Sequence, residues 1–378
     1  MRKSLTIVLL GLLILTGCTS KPEYQRYQAD TSTSGFDTKI TLMAYTTSES
    51  EFTKYFDRMK ELYYEYNILF DKYNNYEGIN NLKTINDMAG KEAVEVDQRI
   101  IDTLVLSREE FDNNKGKFDI TMGSVLSIWH DYREDGLIAN YSNEPGEVPP
   151  LEMLQEAKEC TGWDLIEIDD EKNTVYLTKD CASLDLGGLA KGYATQEIMD
   201  ILAEEGLTHF SINAGGNVKV YDLKPDGSGW NIAVGEPSLI VIDQYADILR
   251  INEELSIVAS GDYQRYYIGP NDETYHHLID PDSLFPLHHF RKVTVVMEDS
   301  TYADMYSTVL FLLPYEEGVL WIKEHNERNP HLHLEAHWVI DIDNEEYKDH
   351  PDFMSIPEKP YKIAMTDGLR EMSHVVTP

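Results

Sequence analysis

Basic residues are scarce. The 378-residue chain sets 32 Lys and Arg against 67 Asp and Glu, a formal charge of −35. Such a surface repels polyanions, so DNA and RNA are excluded as ligands and an anionic lipid surface is disfavoured. A phosphate-bearing ligand would have to be met by local cations: a metal ion, a lysine or backbone N–H groups. Cysteine is scarcer still, with Cys18, Cys160 and Cys181 only. The last two suit either a disulfide outside the cytoplasm or two buried thiols. There is no internal repeat and no low-complexity block. Neither a Walker motif nor a dinucleotide G-x-G-x-x-G is present, so neither of those phosphate-binding mechanisms applies.

Only one long apolar run exists, Leu5 to Leu15, and it is too short to span a bilayer comfortably. Arg2 and Lys3 precede it as a positive n-region. It ends at Leu15-Thr16-Gly17-Cys18, which resembles the bacterial lipobox cut before cysteine. Residues 1–17 therefore read as a lipoprotein signal peptide and Cys18 as a lipidation site. Residues 18–34 read as a polar tether, 35–365 as the folded body and 366–378 as a C-terminal tail. An acyl anchor holds a protein on a membrane without spanning it, here on the extracytoplasmic face of a bacterial cell membrane.

Within the body, apolar spacing predicts helices from about Ser50, over Arg99–Asn113, over Leu189–Leu202 ending before Gly206, and over Thr301–Leu312. Strands are expected at Ile40–Ala44, Phe210–Ile212, Val218–Tyr221, Trp230–Val234, Ile257–Ser260, Tyr266–Ile268 and Val293–Met297. Trp163–Leu177 reads as a β-hairpin. Trp338–Ile342 with Tyr347 reads as a closing hairpin around Asp343-Asn344, and Asn140–Pro150 as a loop. Adjacent strands outnumber strict βαβ alternation. The fold class is therefore α+β, with mixed, mainly antiparallel sheets flanked by helices in one large domain.

Chemistry concentrates in five segments. Leu184-Asp185-Leu186-Gly187-Gly188-Leu189-Ala190-Lys191-Gly192-Tyr193-Ala194 places an acid, two flexible glycines and a lysine at the mouth of a helix, whose first turn offers free N–H groups to an anion. Asn213-Ala214-Gly215-Gly216-Asn217 supplies small residues after a strand, and Ser260-Gly261-Asp262-Tyr263 is similar in kind. His276-His277-Leu278-Ile279-Asp280-Pro281 offers an imidazole suited to acid/base work near neutral pH. In Ala303-Asp304-Met305-Tyr306-Ser307-Thr308, Asp304 and Thr308 lie four apart on one helical face, with Ser307 beside them. These are hard oxygen ligands of the kind Mg²⁺ takes. His331, His333 and His337 suggest zinc only weakly, since no third ligand has a secure geometry.

With these segments in order, the chain resembles the FAD:protein FMN transferase family, the ApbE-like flavin-trafficking lipoproteins, over nearly all of its mature length. The resemblance implies that FAD binds with Mg²⁺ and that its FMN moiety passes to a threonine or serine hydroxyl of a target flavoprotein, releasing AMP. It implies a metal held by Asp304, Ser307, Thr308 and Gly188. FAD would be contacted by Asp185 and Lys191, with Tyr73, Trp129, His130, Asp131 and Leu278 lining the site. His277 takes the acid/base role beside Asp304. The implied partner is an acceptor flavoprotein, a membrane-associated electron-transfer subunit bearing the modified Thr or Ser. Three departures stand out. Phe36-Asp37 occupies a place where the family often has Met-Gly. The segment Asp280 to Pro286 lacks the glycine usual after Asp-Pro-x-Thr. Trp129-His130-Asp131 replaces a Trp-Gly-Phe-like stretch. The same residues also suit a Mg²⁺-dependent FAD pyrophosphatase, in which water attacks instead, or a non-enzymatic FAD-binding lipoprotein.

Overall fold

The computed structural model describes residues 23–238 and 245–375. Cys18 and the signal segment lie outside the described residues.

Nine strands form one sheet whose neighbours all pair antiparallel. In spatial order they are Gln25–Thr31, Ile40–Thr46, Phe210–Ala214, Asn217–Tyr221, Ser256–Gly261, Lys292–Met297, Glu335–Asp341, Tyr361–Met365 and Met354–Ser355. On one face lie the helices Glu49–Phe70, Ala190–Glu204 and Ser300–Leu312, packed into the main apolar core. The Ser300–Leu312 helix is buried nearly all round, its polar residues Ser300, Thr301, Asp304 and Ser307 included and Thr308 in part. The opposite face is covered by the two-stranded ribbon Trp230–Gly235/Tyr245–Ile251 and the short helix Asp367–Met372. A third, smaller core around Met122, Trp129, Tyr267 and Leu284 supports the helix Gly123–Tyr141.

The expected α+β architecture is the one observed, but several boundaries differ. The tether reaches only part of the way to Ser34, because Gln25–Thr31 is an edge strand paired with Ile40–Thr46. Tyr27 and Ala29 alternate toward the core, and the Tyr27 ring stacks on Phe52. The strand ending at Asp341 pairs with Tyr361–Met365 rather than folding back at Asp343-Asn344. The intervening chain buries Tyr347 and Phe353 under Tyr315, so those aromatics belong to a packed excursion and not to a hairpin. The tail is also structured: the Asp367–Met372 helix ends at Ser373, whose hydroxyl donates to buried Asp247. Helices Gly123–Tyr141 and Leu151–Lys158, with a weak and a short apolar period, were not expected, nor was Tyr315–Arg328, although Tyr315, Gly318, Trp321, Ile322 and His325 fall on one buried face of it. Cys160 and Cys181 form a disulfide, tying the end of the Leu151–Lys158 helix to the segment just before Leu184.

Candidate active site

The helix Ala190–Glu204 crosses the buried helix Ser300–Leu312 at a glycine. A Cβ on Gly192 would fall 2.3 Å from the Ser300 carbonyl oxygen, so only glycine allows this approach. The same approach lets the Gly192 N–H donate to Asp304 Oδ2 at 2.9 Å. Asp304 is 6% exposed, and its other oxygen lies 3.8 Å from Lys191 Nζ. Burial raises the Asp304 pKa, with Lys191, the Gly192 N–H and Arg265 pulling the other way. One turn on, the Ser307 hydroxyl donates to the Asp304 carbonyl and sits 2.8 Å from Ser260 Oγ, which also lies 3.3 Å from Thr308 Oγ1. Ser260, at the end of a central strand, thus joins the Ser307 and Thr308 hydroxyls in one cluster beside the Asp304 turn.

These residues open onto a cleft of about 940 Å³. Its walls include Asp185, Gly188, Lys191, Asp304, Thr308, His277, Leu278, Tyr73, Trp129 and His130. Ten of the expected site residues therefore meet in one place. Six cationic side chains also line it: Lys39, Lys72, Lys117, Arg133, Lys191 and Arg265. Five aspartates line it too, Asp37, Asp71, Asp119, Asp185 and Asp304, so the cleft is close to charge balance in a chain of net charge −35, a local relief of negative charge that favours a polyanionic ligand.

Two expectations need correction. Asp131 is exposed and is not part of the cleft wall, because one residue beyond His130 turns its side chain about 100° around the helix. Ser307 is completely buried behind the wall, its hydroxyl held by the Asp304 carbonyl and Ser260. The weak zinc reading also dissolves. His337 is buried in the sheet, His333 pairs with Glu335 at the surface, and no group of three His, Cys, Asp or Glu suited to a metal occurs among the described residues.

Local chemistry fixes the remaining pieces. Asp185 accepts from the Gly187 N–H at 2.8 Å and from Lys72 Nζ at 2.5 Å. Burial works against the Lys72 charge, yet the Asp185 carboxylate prevails and raises its pKa. Asn86 clamps the chain just before, exchanging two hydrogen bonds with the Leu184 backbone. Tyr73 follows Asp71, whose carboxylate accepts from the Tyr73 and Asn74 N–H groups and shapes the loop. Its ring lies 5.0 Å from that of His130. Trp129 forms wall rather than contact surface, being 4% exposed with its indole N–H on the Leu284 carbonyl.

The two adjacent histidines have different roles. His276 is buried, bonded at Nε2 to the Leu287 carbonyl and at Nδ1 to the Leu278 N–H, and burial lowers its pKa to about 3. His277 has a buried Nδ1 with no hydrogen-bond partner. Burial, then Arg265, His276, Arg133 and Lys191, hold its pKa well below the usual histidine value. It is a neutral imidazole with a free nitrogen beside a cationic cleft.

Both departures from glycine now have a structural meaning. Asp37 has φ +48° and Leu284 has φ +66°, the left-handed region that glycine enters without cost. The Asp280–Pro286 turn persists nonetheless. Asp280 accepts from the Ser283 N–H and from Lys117 Nζ, while Leu284 is buried against Trp129. Lys72, Arg265, Ser260 and Gly192 were missed as individual site residues. For Ser260 and Gly192 the signal was present in segments already singled out, but their roles depend on which helix and strand lie opposite.

A sequence model described as the ApbE family matches residues 36–331. Among curated proteins, the chain is similar to FAD:protein FMN transferases of Haemophilus influenzae, at 28% identity over 61% of this chain and 62% of that protein, and of Vibrio cholerae, at 27% identity over 83% and 88%. Among solved structures, the ApbE protein of Thermotoga maritima superposes with a TM-score of 0.68 at 26% identity, covering 83% of this chain and 94% of that one. The flavin transferase ApbE of Vibrio cholerae gives a TM-score of 0.69 at 19% identity, with 93% and 100% covered, a likeness of fold.

Proposed function

We propose, on the premise that this chain belongs to the ApbE family, that it is a FAD:protein FMN transferase, moving the FMN moiety of FAD to a Thr or Ser hydroxyl of an acceptor flavoprotein and releasing AMP. Relatives along most of the chain carry that activity in their names. The observation that carries the reading is the meeting, on one cleft, of six cations, a buried carboxylate and a neutral imidazole with a free nitrogen.

Each part has a task. Lys191 and Arg265 attract and orient the pyrophosphate, which lies where a chain of this charge would otherwise repel it. The acceptor oxygen attacks the FMN phosphorus; that O–P bond forms as the bridging P–O bond breaks, and AMP leaves with the electron pair. The hydroxyl proton passes to the neutral imidazole of His277, whose ring lines the cleft. The arriving pyrophosphate offsets the cations that depress the His277 pKa, so the base strengthens as substrate binds.

The residues fit a hard divalent cation. Asp304 is a buried carboxylate with Lys191 Nζ 3.8 Å away, and Thr308, one helical turn on, brings a hydroxyl to the same cleft wall, so the donors are hard oxygens. Asp304, Thr308 and Gly188, with Ser307 and Ser260 behind them, would hold Mg²⁺, which when bound supplies charge that offsets the phosphate oxygens. We also place the body on the extracytoplasmic side of the membrane, anchored through Cys18, with an electron-transfer subunit as acceptor. The lipobox-like sequence supports the anchor, and the Cys160–Cys181 disulfide supports an oxidising compartment.

The test incubates the soluble body with FAD, Mg²⁺ and a candidate acceptor protein, following intact mass and AMP. An acceptor heavier by one FMN, with AMP release that depends on it, is the expected result. AMP released equally without acceptor would make the protein a pyrophosphatase, and intact bound FAD in both cases would make it a carrier.

A further inference from the structure

The helix Gly123–Tyr141 carries a stripe of side chains that begins inside the cleft and ends outside it. Leu126, His130 and Arg133 line the cleft. Continuing at the same helical spacing, the next two positions on that face are Leu137 and Tyr141, with Ile138 alongside. Here the stripe becomes apolar and solvent-exposed: Leu137 is 45% exposed, Ile138 69% and Tyr141 94%. Three large apolar groups are thus left bare together at one helix end.

The end of this helix is also held in place. Asn140 donates to the Ile268 carbonyl at 2.7 Å and accepts from the Ile268 N–H at 2.6 Å. Gly136 packs so closely that a Cβ there would fall 2.4 Å from Tyr267. The patch is therefore a rigid extension of the cleft wall.

We propose that this stripe is the docking surface for the acceptor flavoprotein, an inference that rests on the transferase reading. The reacting hydroxyl has to enter the cleft, so the acceptor chain must cross its rim, and this helix carries one face continuously from the cleft across that rim. The flanking charges favour a protein over lipid. Asp131, Glu134 and Asp135 are exposed on the same helix, and Glu144 and Glu147 follow it, which repels an anionic bilayer. From His130 to Tyr141 the helix rises about 16 Å at 1.5 Å per residue. An extended acceptor segment covers that in about five residues. The acceptor therefore presents an apolar side chain about five positions from its modified Thr or Ser, with basic residues nearby to meet the acids.

The experiment compares wild type with the triple variant Leu137→Ser, Ile138→Ser, Tyr141→Ser, using as probe a purified acceptor flavoprotein that the wild type labels with FMN. FAD affinity by flavin fluorescence and the melting temperature check that cleft and fold are intact. The expected result is a KM for acceptor raised about tenfold or more, with kcat and FAD affinity unchanged. An unchanged KM overturns the docking surface and leaves the transferase standing. A wild type that binds FAD but labels no acceptor protein overturns both. Wild-type binding to phosphatidylcholine vesicles that the triple variant loses, with KM unchanged, assigns the face to lipid and overturns the proposal.

Discussion

The Gly192 N–H lies 2.9 Å from Asp304 Oδ2, and this one bond between two helices aims the buried carboxylate into the cleft. It exists because residue 192 has no side chain. A methyl group would meet the Ser300 carbonyl oxygen at 2.3 Å and Asp304 Cβ at 2.6 Å, and neither can swing aside.

Gly192→Ala is therefore expected to push the helices apart. Overpacking of this kind costs about 1–3 kcal/mol, and the Asp304 carboxylate loses its donor and its aim. Urea denaturation should show the stability loss, and turnover should fall in the protein that remains folded. Wild-type stability together with wild-type turnover would falsify the role given to this crossing.

His277 is expected to act as a base that needs no deprotonation step at neutral pH. His277→Ala should lower FMN transfer by about 10²- to 10⁴-fold while leaving FAD affinity nearly unchanged. Because burial and neighbouring cations depress its pKa in the free enzyme, the acid limb of wild-type kcat/KM for FAD should lie below pH 6.5. A limb centred at or above that value, or a His277→Ala enzyme of normal rate, would remove His277 from the mechanism.

Much of this was legible in the sequence, for a definable reason. Asp185, Gly188, Lys191, Asp304 and Thr308 sit at helix starts and at helical spacing, where local rules place a side chain without knowing its neighbours. The elements that escaped detection depend on tertiary partners. Gln25–Thr31 is a strand because Tyr27 finds Phe52. The Gly123–Tyr141 helix presents one face partly to a cleft and partly to solvent, so its apolar period is blurred. The family resemblance implies Asp131 together with Trp129 and His130, and the helix carries Asp131 away from the cleft. Lys72 was invisible because its partner Asp185 lies 113 residues further on.

The sheet itself should report on pH. His337 is completely buried opposite Thr294, with both ring nitrogens unpartnered, and burial followed by Lys292 lowers its pKa to about 3. The unfolded chain takes up the proton near pH 6.5 and the folded chain only near pH 3, so stability falls as pH drops through that window. The loss is about 1.4 kcal/mol per pH unit for this one group. His337→Leu should be at least as stable at pH 7, since it leaves no buried nitrogen unsatisfied. Urea midpoints for both proteins at pH 7 and pH 5 give the comparison. Equal losses in the two would mean that His337 is not the titrating group.

Asp37 offers a change in the opposite direction. Its φ of +48° costs an L-residue of this kind about 1 kcal/mol that glycine does not incur, and no hydrogen bond to its side chain from the described residues offsets this. Part of the gain is returned, because glycine gives the unfolded chain more freedom to lose. Asp37→Gly is therefore expected to raise stability modestly, by about 0.5 kcal/mol. Asp37 also lines the cleft, so the substitution takes a negative charge from the place where a pyrophosphate binds. The two effects can be measured separately, by urea denaturation without ligand and by FAD titration. A variant that is less stable would show that the Asp37 side chain holds this turn. A variant that binds FAD more weakly would show that the carboxylate contacts the ligand instead of repelling it.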